Sequence, residues 1–466
     1  MDFMNEKMTV ITGLQRIIAL AFPISAGRLL NIISSFIAMM MVAKLGKAHL
    51  AAGFLALATM VTVLTLISTI FYAIGIKIRY HQTQMGGFNS IGILVKNGFL
   101  LAMILAIPAS LTIAFMDKML LAIGQDPALV SLTKDYFVYA GLGMFPLLAT
   151  MVIGQFYMGI GKPWFTLIIE LINLPLVIIA SYGFILGHFG LPRLGLAGAS
   201  LAPLLTQSLV LVGILVVLYA SRSLQAYQLF KKPFVLDWKI CQSILSLGLP
   251  IGLQFGGEIG AMAAATCLMG YFGVNALAAL QITSQYSLII IMISFGVSQA
   301  LSLMVSGAYG QQTQNPFLIK QYLHASLLLF ALYILPVAGL FYGYSTKLAE
   351  LYMGTTHIQP DFAHLIHVFF GLAALFLLLD GIRNLLSATL RGLHDSATST
   401  RINLINLWLI ALPLAAVTAF YFNGGPIGLR VGFLGGFLLA VILLASCVLK
   451  KTVLITQSTP LCVNNA

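Results

Sequence analysis

From position 259 to position 319 the chain carries no Asp, Glu, Lys or Arg, a run of 61 residues. Such a stretch cannot lie on a surface in water, whereas a bilayer-crossing helix needs about 20 apolar residues. The run is long enough for two spans and a tight turn at Gly273-Val274-Asn275. The rest of the sequence agrees: 60% of residues are hydrophobic and 8% charged, where soluble domains have about 45–50% apolar and about 25% charged residues. Long apolar runs without strict alternation argue against an outer-membrane barrel. The same composition excludes a disordered tail protein and a disulfide scaffold. The expectation is an all-α, polytopic membrane protein.

Twelve transmembrane helices are expected, near 14–43, 50–76, 90–116, 130–159, 164–188, 194–221, 242–271, 277–308, 319–345, 363–390, 402–422 and 429–449. Charges or Gly, Pro and Asn clusters bound each of them. The net charge of +12 is scattered between apolar runs, so it reads as topology rather than as a nucleic-acid surface. With the N-terminus inside, 15 Lys and Arg fall at cytoplasmic ends and 7 on the other side. Arg28 and Arg383 remain within spans. The densest inside segment is 222–239, with Arg222, Lys231, Lys232 and Lys239. An even number of spans places Lys450 and Lys451 inside as well, so both termini are expected in the cytoplasm. Met1–Arg16 contains acids and no small-residue cleavage site and reads as a retained tail. Cys241, Cys267, Cys447 and Cys462 show no CxxC spacing, which indicates neither a metal knuckle nor a disulfide set. No P-loop is present, so ATP is not the expected energy source.

The sequence repeats itself. Leu20-Ala-Phe-Pro-Ile returns as Leu247-Gly-Leu-Pro-Ile, 227 positions later, and at the same offset Gly46 matches Gly273 and Leu50-Ala-Ala matches Leu277-Ala-Ala. Leu174-Pro-Leu matches Leu412-Pro-Leu at an offset of 238, and a longer loop around 346–361 absorbs the drift. Each half has six spans, an even number, so the halves run parallel. The expected organisation is an N-terminal six-helix bundle over 1–221, a cytoplasmic linker over 222–239 and a C-terminal six-helix bundle over 240–466. Two pseudo-symmetric bundles around a V-shaped midplane cleft suit alternating access.

Charges inside the bilayer are the chemically informative residues, because each costs at least about 2.5–3.5 kcal/mol on insertion scales. Three of the twelve acids lie within spans: Glu170, Glu258 and Asp380. At a rise of 1.5 Å per residue, Glu258 stands roughly 20–25 Å from the cytoplasmic start of its helix and Asp380 roughly 16 Å from Arg391. Both are near mid-depth and able to face one cavity. A carboxylate there can exchange a proton or a sodium ion for a cationic substrate. Alternatively Arg383, at i+3, neutralises Asp380 permanently. Glu170 either pairs with Arg28, snorkels, or serves transport. Gly252, Gly256 and Gly260 flank Glu258 at four-residue spacing, which reads as close helix packing. Pro23 and Pro250 occupy matching places in spans one and seven and permit bending. His364 and His367, at i and i+3, lack a further metal-ligand cluster nearby.

These features together resemble the multidrug and toxic compound extrusion (MATE) transporters, and its NorM-like branch in particular. The resemblance covers essentially the whole chain. It rests on Ala21-Phe-Pro-Ile followed by Leu50-Ala-Ala, on Gly161-Lys-Pro and Gly190-Leu-Pro-Arg-Leu-Gly, and above all on Glu258 and on Asp380 followed by Leu390-Arg-Gly-Leu-His-Asp395. It implies cation coupling at Glu258 and Asp380. The chain also departs from the family. The span-one acid is replaced by Ala38, and the second asparagine of span five by Val177, while Asn173 remains before Pro175. Glu170, one turn before Asn173, is then a relocated carboxylate. Phe376 stands where some relatives have a tyrosine one turn before the span-ten acid, which removes an oxygen ligand for sodium.

The resemblance implies a secondary active multidrug efflux transporter of the cell inner membrane, not an enzyme. It would export lipophilic organic cations in exchange for H+ or Na+ by alternating access. No cofactor is implied beyond the coupling ion, no metal site and no nucleic-acid partner, and the expected partners are small organic cations and the bilayer around a monomer. Gln281, Gln285, Tyr286 and Phe376 are candidates for lining the second-half cavity, where aromatic faces attract cations. Arg28, Glu170, Asn173 and Arg383 are auxiliary candidates for coupling. The competing readings are a lipid-linked saccharide flippase of the same superfamily and a membrane-embedded enzyme. Two acids against one arginine within the second half favour cationic cargo over a pyrophosphate, and no catalytic constellation at a membrane face favours the enzyme.

Overall fold

The computed structural model describes residues 10–84, 87–229, 235–311, 316–353 and 359–458. Lys231, Lys232 and Cys462, named above, lie outside them. The regular structure of the described residues is all helical, as lipid requires, since only a helix or a closed barrel satisfies its own backbone donors there.

The first half runs α1 (Val10–Ala43), α2 (Lys47–Ile70), α3 (Tyr72–Gln82), α4 (Gly87–Ala114), α5 (Met116–Ala122), α6 (Pro127–Leu142), α7 (Met144–Gly159), α8 (Pro163–Leu186) and α9 (Gly198–Ala220). The second runs α10 (Trp238–Gly270), α11 (Val274–Tyr309), α12 (Pro316–Gly343), α13 (Ser345–Met353), α14 (Pro360–Gly392), α15 (Ser396–Ile405), α16 (Leu412–Ala416) and α17 (Gly425–Ser458). Eleven stretches among the described residues are long and apolar enough to cross a membrane, and the pair α6 and α7 makes a twelfth when counted as one span. That pair bends by 43°. Gly143 sits at the break and Pro146 follows three residues later, removing a helix donor and crowding the carbonyl of the preceding turn. The chain is a polytopic helical membrane protein. Two short helices escape the sequence reading: α5 and α13 are too brief to show a period.

The repeat is visible in the backbone. Gly46 and Gly273, matched in sequence, cap the starts of α2 and α11 with φ of 115° and 88°. Side chains rarely adopt that region, so both halves need glycine at this turn.

Packing divides the chain into two compact units. The N-terminal unit is Ala26–Gly256 and the C-terminal unit is Met1–Ser25 with Gly257–Ala466. Both boundaries fall within helices, shortly after Pro23 in α1 and Pro250 in α10. The division at 222–239 is thus one of topology. By packing, the first turns of α1 belong with residues 257–466 and the first half of α10 with residues 26–256.

In the N-terminal unit Gly248, Gly252 and Gly256 press on α2, where a Cβ at any of them would meet Ile70 or Leu66. Gly252 and Gly256 show the close packing expected of the stripe, whereas Gly260, its third member, faces Trp408. In the C-terminal unit a second stripe, Gly424, Gly428, Gly432 and Gly436, faces residues 411–418 at backbone contact. A Cβ on Gly428 would lie 2.6 Å from the Thr418 carbonyl oxygen. The segment opposite is wound partly as π-helix, Asn406–Ala411 and Val417–Tyr421 around α16. Such turns leave carbonyls needing other donors. Asn406 Nδ2 donates to the Gly436 carbonyl at 2.6 Å, which ties the two helices together.

Candidate functional site

The C-terminal unit holds a buried ion cluster built from three helices. α14 presents Asp380 and, one turn on, Arg383; α10 presents Glu258; α15 presents Asn403. Arg383 Nη2 donates to Asp380 Oδ1 at 2.7 Å. Its Nη1 donates to Glu258 Oε1 at 2.6 Å and to Asn403 Oδ1 at 2.7 Å. The guanidinium is 2% exposed and lies 5.1 Å from the centre of the Phe437 ring. Asn403 is itself held, its Nδ2 donating to the Ser399 carbonyl at 2.8 Å and to Ser387 Oγ at 3.0 Å. That fixes the amide so that its oxygen faces Arg383. Asp380 Oδ2 accepts from Asn384 Nδ2 at 3.0 Å, and Asn384 Oδ1 is buried without a donor.

The sequence left open whether Arg383 pairs with Asp380; in the structure it pairs with Asp380 and with Glu258 as well. Arg383 spends one nitrogen on each acid and so bridges them. Two carboxylates against one guanidinium leave the cluster one positive charge short of neutrality. In a low-dielectric interior such a deficit is expensive.

Helix packing sets this geometry. Gly381, beside Asp380, lets the Phe330 ring of α12 lie against α14, where a Cβ would collide with it. Gly257, beside Glu258, accepts Leu404 in the same way, and its carbonyl accepts from Trp408 Nε1 at 3.2 Å. The small residues next to the acids are what bring α10, α12 and α15 within reach of α14.

The cavity candidates are placed differently from one another. Gln281 and Gln285 are exposed on α11, and Tyr286 is partly buried with its hydroxyl donating to the Leu348 carbonyl at 2.8 Å. Phe376 is buried and packs on Phe437 with ring centres 4.9 Å apart. His367 Nδ1 is hydrogen-bonded to Ser345 Oγ at 2.8 Å, and no group of three metal-ligating side chains occurs among the described residues.

In the N-terminal unit, Arg28 does not meet Glu170. Its Nη2 contacts the Tyr72 hydroxyl and its guanidinium lies over the same ring. Glu170 is not part of the ion pairs Arg383–Glu258, Arg383–Asp380 and Lys451–Asp395. Its side chain lies beside Gly27 of α1, and Asn173, one turn on, reaches Gln207 Oε1 at 3.5 Å while its own Oδ1 is buried without a donor.

Sequence reasoning missed Asn403, Asn384 and Arg430. Asn403 and Asn384 are uncharged amides, and the sequence does not mark them as partners of the cluster. Arg430 fell at the edge of a span begun at 429, but α17 starts at Gly425, which puts this arginine more than a turn inside. With Arg430 inside α17, the excess of acids over arginines inferred for this half is confined to the cluster.

A family model, MatE, matches residues 23–183 and again 250–417. The two matches begin 227 positions apart, the offset of the internal repeat, and include Glu170, Glu258 and Asp380. The probable multidrug resistance protein NorM of Agrobacterium fabrum is 31% identical over 334 residues, 70% of either chain. Its namesake in Rhizobium meliloti is 30% identical over 412 residues, 87% of this chain and 86% of that one. A multidrug resistance MATE family transporter solved in an outward-facing conformation superposes with a TM-score of 0.84 at 18% identity, over 97% of this chain and 99% of the other. The chain belongs to the MatE family, as a NorM-like member.

Proposed function

We propose that this protein is a secondary active multidrug exporter that moves lipophilic organic cations out of the cell in exchange for protons. The observation that carries the reading is the Glu258–Arg383–Asp380 cluster, one net negative charge inside an apolar unit. One proton, one metal ion or one cationic cargo neutralises it, and mutual exclusion among these is what an antiporter needs. The relatives' names support a multidrug cargo, and the net charge of the cluster favours a cationic one. Asn384 Oδ1 is a neutral oxygen beside Asp380 that suits a sodium ion, so the test carries a sodium arm. Glu170 and Asn173 form a second, weaker acid site in the N-terminal unit. The protein acts as a monomer in the inner membrane with both termini in the cytoplasm, needs no bound cofactor and performs no covalent chemistry.

The test is ethidium transport in membrane vesicles from a drug-sensitised strain, under an imposed pH gradient without sodium and under a sodium gradient without one. Transport driven by the pH gradient and lost in both Glu258→Gln and Asp380→Asn is the expected result. Transport that needs sodium and ignores pH overturns proton coupling. No ethidium transport under either gradient, with normal membrane expression, overturns the exporter reading for this cargo class.

A further inference from the structure

Arg430 is an intramembrane charge that the exchange reading does not use. It lies five residues after the start of α17, about 8 Å along the helix, and is partly buried. Its guanidinium carbon stands 5.8 Å from the Phe369 ring centre and 6.0 Å from that of Phe376. These two phenylalanines are seven positions apart on one face of α14, and both are buried. Aromatic faces offset part of a cation's charge, but they leave the N–H donors of the guanidinium edge unused. Among the described residues no carboxylate pairs with Arg430 and no oxygen accepts from it.

Arg383 shows the contrast. It lies over Phe437, Phe437 packs on Phe376, and Phe376 lies beneath Arg430. Two guanidinium groups thus flank one pair of rings. The first is answered by two carboxylates and an amide oxygen, the second by no anion. An arginine's planar fork matches the two oxygens of a carboxylate or phosphate, and an unanswered charge within a span is costly. Ile427 and Leu434, at i−3 and i+4 from Arg430, add partly buried apolar surface on its side of the helix.

We propose that Arg430 is a binding site for an oxyanion carried on an apolar or aromatic body. Its ligand is the carboxylate of a zwitterionic or acidic amphiphile, or the phosphate of a lipid headgroup, the shared chemistry being a two-oxygen anion beside an apolar chain. The site is independent of the exchange mechanism, since it concerns equilibrium binding and lies on none of the cluster's groups.

Full-length protein in phosphatidylcholine nanodiscs is titrated with a rhodamine free acid and with its methyl ester, and binding is read by fluorescence anisotropy. The two dyes differ only in the carboxylate. Wild type is expected to prefer the free acid by about tenfold or more, the range of a charge-assisted hydrogen bond. Arg430→Gln removes that preference and leaves ester binding unchanged. Arg430→Lys, which keeps the charge without the fork, retains part of it and covers the case in which the glutamine variant fails to fold. Adding phosphatidylglycerol separates the sources: Arg430-dependent displacement of the free acid but not of the ester supports the site and assigns it to lipid headgroups. Equal affinity for acid and ester in wild type with no phosphatidylglycerol effect overturns the proposal, as does a preference that survives in Arg430→Gln.

Discussion

Arg383 and Glu258, 125 positions apart in the chain, meet nitrogen to oxygen at 2.6 Å, and the same guanidinium holds Asp380 one turn away on its own helix. Removing the bridge leaves two carboxylates facing each other without a countercharge. Breaking a buried pair by deleting one partner typically costs about 3–5 kcal/mol. Arg383→Met is therefore expected to lower the melting temperature of the detergent-solubilised protein sharply. Asp380→Asn, which leaves Arg383 paired with Glu258, should cost less. The two variants melted side by side decide the matter, and equal losses would show that the cluster does not act as a bridged unit.

The acids themselves should separate by burial. Glu258 keeps 16% of its side chain exposed, whereas Asp380 keeps 8% and is fixed by both Arg383 and Asn384. On the exchange proposal, Glu258 is the acid that takes the incoming ion and Asp380 the one that holds Arg383 in place. Glu258→Gln is expected to abolish the response of transport to the pH gradient while dye still binds. Coupling energies between sites run to about 5–150-fold in affinity, so the competition between protons and dye should fall by a factor in that range. Dye binding measured from acidic to neutral pH reads this directly, and a pH response intact in Glu258→Gln would place coupling elsewhere.

Much of this was legible before any coordinates. The existence of the spans, the repeat and the three intramembrane acids follow from hydropathy, internal matches and the cost of charge in lipid, which act on every residue of a span. The partner of Glu258 was not legible, because Arg383 reaches it across helices and a one-dimensional pattern shows only the i+3 neighbour Asp380. The supporting amides were overlooked for a related reason. Asn403 and Asn384 carry no charge, so nothing in composition distinguishes them from asparagines at helix ends. Arg430 was misplaced by a few residues at a span edge, where loop and helix grade into each other. The packing division within α1 and α10 had no sequence counterpart, since proline and glycine at those places signal bending and close approach without saying which neighbours are approached.

The glycine stripe of α17 offers a test of packing apart from chemistry. A Cβ on Gly428 would stand 2.6 Å from the Thr418 carbonyl oxygen, against backbone that cannot yield cheaply. Overpacking of this kind costs about 1–3 kcal/mol. Gly428→Ala should destabilise by that amount, whereas Gly339→Ala, with nothing within 4 Å of its added methyl, should stay within about 0.5 kcal/mol of wild type. Thermal melting of both variants in one detergent checks the pair. A loss at Gly428 no larger than at Gly339 would mean that α17 and residues 411–418 can part without cost.

At the boundary of the membrane, Asp395 caps α15, its Oδ1 accepting from the Thr398 amide at 3.1 Å, while its Oδ2 meets the Lys451 ammonium. Burial pushes this carboxyl up, but the Lys451 contact and the two Thr398 interactions outweigh it and hold it below the ordinary aspartate range. An aspartate depressed in the folded state binds its proton more readily when unfolded. Its contribution to stability is therefore complete above the unfolded value, about pH 4, and is lost as pH falls through the lower folded value. Asp395→Asn removes the charge yet keeps a good capping side chain. Lys451 is 37% exposed, so solvent limits the charge effect to about 1 kcal/mol or less. Wild type should melt slightly above Asp395→Asn near neutral pH, with the two curves converging as the pH drops below about 4. A gap that stays constant down to the acid limit would assign the effect to shape rather than to charge.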